Sequence, residues 1–374
     1  MVTDPHHMHI TRRQALLQLA VLATMPFAPG IARAGIPPRG IRFATAWDRE
    51  GNHHTGMLEV TEQDVRVAYQ LTTPTRAHGS CAEPDGTWLT VARRPGDWLV
   101  RWHPDGRPPR WQWIEPARAF NGHALSSPDG SRVFTTETDL ETGTGLIGVR
   151  DGQSLEKFDE WSSGGMDPHE LLWVPGQEGL RLVVANGGIP TLPETGRIKI
   201  QLDRMDSSLA LLDASSGHIQ GQWRLPDQRL SMRHIAWHPE HPGMLGLALQ
   251  AEHDTLTPRL QAPILAIWQE STGLQTATNP PLQGYGGDIA AVPNGFAVST
   301  PKANGVALWQ WHNTSLTPPE WRELIADDQA CALCHTPDGL WIAAAQRAHL
   351  LTNQPSAYWP VPPQLRIDNH WVAV

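Results

Sequence analysis

His78-Gly-Ser-Cys-Ala-Glu-Pro84-Asp-Gly86 returns as His123-Ala-Leu-Ser-Ser-Pro128-Asp-Gly130, as His169-Glu-Leu-Leu-Trp-Val-Pro175-Gly176 and as His234-Ile-Ala-Trp-His-Pro239-Glu240. Each copy carries a short, mostly apolar stretch into a tight turn, the punctuation of a β-hairpin. Two degraded copies follow, Asp288-Ile-Ala-Ala-Val-Pro293-Asn-Gly295 and Cys331-Ala-Leu-Cys-His-Thr-Pro337-Asp-Gly339. Asn369-His370-Trp371-Val-Ala-Val374 closes the series. Successive starts lie 39 to 65 residues apart, around the period of propeller blades with four strands each. The repeats therefore predict an all-β chain folded as a seven-bladed β-propeller.

Second strands are expected after the turns, at Trp88–Ala92, Arg132–Thr136, Leu180–Ala185, Met244–Leu249, Gly295–Thr300 and Leu340–Ala345. Third strands are expected at Asp97–Trp102, Gly145–Val149, Ser208–Leu212, Pro263–Trp268, Gly305–Trp309 and Arg347–Leu351. Composition agrees: 17 Trp against 6 Phe and 3 Tyr, with 33 Gly and 33 Pro, describes many short strands broken by turns. The seventh blade is split, with Asn369–Val374 as its inner strand and Gly40–Val60 as its outer ones, so the two ends of the chain close the ring and remove an open sheet edge. Two blades carry insertions; the longer, Gly187–Met205, reads as a loop over one face that shapes a binding mouth.

Residues 1–34 read as an export leader ahead of a single propeller domain at 35–374. Thr11-Arg12-Arg13 with Leu16 and Leu17 fits the twin-arginine pattern, Ala15–Ala23 is its apolar core and Ala32-Arg33-Ala34 its cleavage site. The apolar run is too short to span a bilayer, and no later stretch exceeds it. The expected destination is the periplasm, reached already folded. The net charge of −9 becomes more acidic once Arg12, Arg13 and Arg33 leave with Asp4. Such a chain, lacking Lys/Arg clusters, repels nucleic acid and anionic headgroups, so neither is an expected partner.

Superposed, the repeats place His78, His123, His169, His234, Asp288 and His370 around one end of the channel, with Cys331 on the remaining blade. Imidazoles with a carboxylate suit copper, zinc or iron, and these six residues are the candidate metal ligands. The competing reading makes each histidine a hydrogen-bonding strut between blades, as in tryptophan-aspartate-repeat propellers, which Gly122-His123 resembles. In a wide seven-fold channel, two to four neighbours would bind an ion directly and the rest would act through water. His103, His238, His241 and His335 stand beside turns and read as solvated. His53-His54 reads as a hairpin tip, and His253 with Asp254 as a weaker second candidate.

Cys331-Ala332-Leu333-Cys334-His335 spells C-x-x-C-H, the attachment motif of c-type haem, which makes these residues a candidate cofactor site. Its position on an inner strand counts against haem, because residues three apart on a strand face opposite ways. Passage of an already folded chain also conflicts with haem attachment after export. A disulfide or two free thiols are the alternatives. No Gly-x-Ser-x-Gly elbow or phosphate-cradling loop appears, and Glu137 with Asp139, or Glu170 beside His169, read as hydrogen-bonding groups. No reaction is assigned.

The leader, the histidine-led phrases with their Pro-Asp-Gly turns and the terminal His-Trp-Val strand together resemble the bacterial family known as domain of unknown function 1513, over essentially the whole mature chain. The resemblance implies a periplasmic propeller encoded beside imelysin-like iron-regulated proteins and di-haem oxidoreductases, hence a role in iron or other metal handling with such a protein as partner, either as metal binder or as docking scaffold. It supplies no catalytic residue. By architecture alone the rim is also similar to the histidine-lined propeller holding the copper-sulfide cluster of nitrous oxide reductase; Asp288 and Cys331 depart from its all-histidine set.

Overall fold

Seven antiparallel sheets of four strands follow one another around a ring. The computed structural model describes residues 40–190, 199, 201–312, 318–352 and 355–374; the leader read at residues 1–34 lies outside them. The inner strands are Ala77–Ala82, Arg118–Ser126, Pro168–Trp173, Leu230–Trp237, Ile289–Val292, Ala332–Thr336 and Leu365–Ala373, one per sheet. Each contacts the inner strand of the next blade, and the last returns to the first, so the seven close around a central channel.

The expected second and third strands form within a few residues of the ranges predicted for them. The closing blade is larger than expected. Its inner strand begins at Leu365, and its outer part comprises Ile41–Arg49, Asn52–Val60 and a further strand, Val65–Thr73. Ile41–Arg49 pairs with both Asn52–Val60 and the C-terminal strand, so the closure is a hydrogen-bonded ladder.

Second strands such as Trp88–Ala92 are buried along their whole length, as expected for a sheet covered by a neighbour on each side. Between blades the two facing sheets share one core. Leu211 and Val183 of one blade pack with Leu230, Leu247 and Trp268 of the next. At the closure, Phe43 stacks on Trp371 with ring centroids 4.1 Å apart and meets Trp341 edge-on at 5.6 Å. Blades diverge away from the channel, and the wedge between them needs bulky groups; Trp47, Trp98, Trp102, Trp309 and Trp341 are fully buried there, which accounts for the bias towards tryptophan.

The two insertions fall between strands of their blades. Gly187–Met205 joins a second strand ending at Asn186 to a third beginning at Ser208, and only part of it lies within the described residues. The other carries the short helix Leu256–Gln261. Among the described residues no helix is long and apolar enough to cross a membrane.

Candidate metal centre

Each of the five histidines sits where the inner strand breaks register with its neighbour. The breaks fall between Ala77 and Ser80, Phe120 and Ala124, Pro168 and Leu171, and Met232 and Ile235. On the closing strand the skipped stretch is Asp368-Asn369-His370. A β-bulge frees residues from the ladder and re-aims their side chains, and here it turns five imidazoles into the channel. Backbone groups released by the bulges are caught by hydroxyls: Thr136 donates to the His169 carbonyl at 3.0 Å, and Thr45 donates to that of His370. Gly79 and Gly122 permit the closest approach, since a Cβ on Gly122, at φ +105, would lie 2.6 Å from the His78 ring. At Gly79 it would lie 2.7 Å from the Gly122 carbonyl.

The result differs from a rim of separated ligands. The five rings form one cluster, four of them buried and His370 nearly so, with centroids 4.2 to 5.9 Å apart in nine of the ten pairs. They stand against one another rather than apart, because the bulges throw each ring inward. Three sets of donor atoms lie mutually within 4.8 Å: His78, His169 and His234; His78, His123 and His370; and His234, Asp288 and His370. Nε2 of His169 and Nε2 of His234 are 3.2 Å apart. Two nitrogens about 2.05 Å from one tetrahedral ion would be about 3.3 Å apart, so this pair already has ligand spacing.

Three carboxylates stand behind the rings. Nδ1 of His234 and of His123 lies 3.5 and 4.0 Å from Glu170, Nδ1 of His78 lies 3.8 Å from Asp368, and Nδ1 of His370 lies 3.7 Å from Asp288. Six of the ten ring nitrogens in the cluster are buried without a hydrogen-bond partner: both of His78, Nε2 of His123 and His370, and Nδ1 of His169 and His234. Structural struts would be paired, because each unsatisfied buried polar group costs on the order of 1–3 kcal/mol.

Burial, reinforced by the neighbouring imidazoles, pushes His123, His169, His234 and His370 well below the usual histidine range. Burial also lowers His78 against the opposing pull of Asp368. These shifts all favour the neutral ring, the form that binds a metal. Burial raises Asp288 well above the usual carboxylate range, although the Leu333 and Ile289 amides donate to it at 2.8 and 2.9 Å, and burial raises Glu170 too. Asp368 is held low in spite of its burial, by His78, Arg93 and Arg76.

These shifts give a sign to the pH dependence of stability. Below about pH 6.5 the unfolded chain takes up protons that the folded imidazoles refuse, so each contributes stability that is lost as pH falls towards its folded value. Asp288 and Glu170, being raised, act the opposite way, stabilising at low pH and losing that contribution as pH rises through their folded values. Five groups outweigh two. The denaturant midpoint of metal-free protein is expected to fall between pH 7.5 and pH 5.5 at constant m-value; a midpoint that rises on acidification would mean that the rings are charged partners of the carboxylates.

The remaining candidates are placed elsewhere. Cys331 does not complete the ring, since its thiol turns towards the carbonyls of Ile367 and Asp368 on the closing strand. Cys334 packs into the same interblade core. The two thiols thus share one face, contrary to the alternation of a regular strand, because Cys331 precedes the paired residues Ala332–Thr336. Both are free, and burial pushes Cys331 up to about 12 and also raises Cys334. His335 is exposed. His238 is buried rather than solvated, bonded to the Val292 carbonyl at 3.1 Å and packed edge-on against Phe296 and Trp311. His53 pairs with Asp48 at 2.7 Å beside its hairpin tip, and His253 pairs with Asp227 at 3.0 Å. Glu137 is tied to Arg150 at 2.7 Å and Lys157 at 3.0 Å inside its own blade.

Five clustered imidazoles on the inner strands, with carboxylates behind them, define the class: a seven-bladed β-propeller with a candidate metal centre among its inner strands. The chain belongs to the family described as "Protein of unknown function (DUF1513)", whose model matches residues 71–374. No curated protein matches the chain. Among solved structures it is similar to hydrazine synthase of Kuenenia stuttgartiensis, at 12% identity and TM-score 0.57, covering 83% of this chain and 92% of that one. It is also similar to a functionally unknown protein from Desulfotomaculum acetoxidans DSM 771, at 11% identity and TM-score 0.54, covering 88% and 99%. At such identities the likeness concerns the fold alone.

Proposed function

We propose that this protein is an exported, periplasmic metal-binding propeller that holds a copper or iron ion on the histidine cluster and serves in handling that metal. The observation that carries the reading is the overlap of three sets of donor atoms, each mutually within 4.8 Å, in a cluster where six ring nitrogens are buried without a hydrogen-bond partner. An ion would satisfy donors that the fold otherwise leaves without partners. The all-imidazole sets suit copper, or zinc as a competitor, whereas His234, Asp288 and His370 make up the two-histidine, one-carboxylate donor set of non-haem iron(II) sites. Glu170 and Asp368 would serve by orienting His123, His234 and His78 through Nδ1, as outer carboxylates do at histidine-bound metals.

The test uses the full chain exported through its own leader. Elemental analysis of the folded protein should find a transition metal at close to one equivalent. Metal-free protein titrated with Cu(II), Zn(II) and Fe(II) should bind one of them tightly enough to compete with a chromophoric chelator. Protein that carries no metal and binds none of the three would end the reading.

A further inference from the structure

The chain is acidic, yet positive charge collects in one place. A cavity of about 150 Å3 opens against His78, His169 and His234. Arg93, Arg94, Lys199 and Arg233 line its other walls. Arg233 is 2% exposed. Its Nη1 lies 2.9 Å from Asp167, while Nε and Nη2 reach no acceptor. Asp167 is shared, since Arg94 pairs with it as well. Arg93 lies 3.4 Å from Asp368, and Lys199 pairs with Glu252. Four cations thus face three carboxylates, and Asp368 is also engaged by Arg76 and His78. At the margin Lys302 sits over the Tyr285 ring at 4.3 Å, adding a further positive charge beside a lining residue.

We propose that this chamber binds a small oxyanion, a carboxylate or phosphate group received by Arg233 with Arg93, Arg94 and Lys199 around it. A buried guanidinium with idle donors is costly, and its planar fork matches two oxygens of one carboxylate or phosphate. Cations within low-dielectric walls also concentrate anions. The volume equals that of a cavity known to admit benzene, so the ligand is of about that size, or the anionic end of something larger reaching in from outside. Lys199 is a described residue of the Gly187–Met205 insertion. The anion site stands on these cations alone. One further step rests on the metal reading: an anion seated in this chamber would stand beside His78, His169 and His234 and could supply an oxygen to an ion held by them.

The experiment is calorimetric titration of metal-free full-length protein with inorganic phosphate and, separately, with citrate, at constant ionic strength in chloride. At least one should bind saturably with a dissociation constant below about 1 mM, and the tighter of the two names the source. Arg233→Met should weaken that binding about tenfold or more, and Lys199→Ala, at a more exposed position, should weaken it severalfold without touching the core. The paired change His123→Ala with His370→Ala, at candidate metal ligands that do not line the chamber, should leave phosphate or citrate binding within about threefold, so failure of the metal reading would not remove this result. Absence of saturable binding by both anions, or unchanged affinity in Lys199→Ala and in a folded Arg233→Met variant, overturns the proposal.

Discussion

Replacing His78 and His234 together by alanine is expected to lower transition-metal affinity by at least about 100-fold, because the pair breaks all three donor sets at once. His78 belongs to two of the sets and His234 to two, and each set contains at least one of them. Changing His123 and His169 instead leaves His234, Asp288 and His370 intact, and should cost less. Measured by chelator competition, this ordering separates a true centre from scattered imidazole binding, in which both double variants would lose affinity alike. Stability gives an independent readout. Ligand at 100 times its dissociation constant stabilises the native state by about 2.7 kcal/mol, and that increment should vanish in the first double variant. Metal-free stability should change little in comparison, since each substitution removes unsatisfied nitrogens while opening a cavity. Equal metal stabilisation of parent and His78→Ala/His234→Ala proteins would show that the ion sits elsewhere.

Much of the architecture was legible because a propeller writes its period into the chain. Pro-Asp-Gly turns and buried second strands such as Trp88–Ala92 are local features, set by backbone chemistry and by burial on both faces. Fourth strands such as Arg110–Trp113 and Gly273–Thr276 are short and half-exposed, so they carry little pattern. Val65–Thr73 could have been found. Its alternation of turned-in and turned-out residues is the period-two signal of an outer strand, and Val65, Val67, Tyr69 and Leu71 spell it.

Ligand types at the centre were legible, but their depth was not. Repeated phrases showed that five histidines occupy equivalent positions, and a regular strand at those positions would leave them spaced around a rim. The bulges that draw them together arise from pairing between strands, which a single segment does not reveal; Gly79 and Gly122 beside two of the histidines are the nearest signal. Glu170 stands beside His169 in the chain, where it reads as a hydrogen-bonding group; Arg233 adjoins His234 in the same way, so adjacency on a bulged strand could have suggested it too. Asp368 has no counterpart in the other phrases. Its place follows from the closing ladder, where the skipped residues bring it beside His78, Arg76 and Arg93. Cys331 shows the reverse error: an equivalent position in the repeat without a bulge sends the side chain into the core.

Deletion of Leu365–Val374 should abolish cooperative folding, whereas removal of Val374 alone, which is 64% exposed, should be tolerated within about 0.5 kcal/mol. The deleted strand is the inner wall of a blade. Without it Ile41–Arg49 loses one of its two ladders, Phe43 loses the stacked Trp371, and the interblade core that holds Leu365 and Trp371 opens to water. Trp371→Ala by itself should cost about 3–5 kcal/mol as a buried aromatic truncation. The same strand also brings His370 and Asp368 to the centre, so closure of the ring and assembly of the donor set are one event. A circular permutant, with the C-terminus linked to Gly40 and the chain reopened in the exposed turn at Gly106, keeps every ladder and should retain both the cooperative transition and the metal affinity. Supplying Gln364–Val374 as a peptide should restore folding to the deleted protein, and metal should strengthen that association by mass action, because the peptide carries one ligand of two of the three sets. If the deleted protein unfolds cooperatively near the parental midpoint, the ring is held by its other interblade cores and the closing ladder is dispensable.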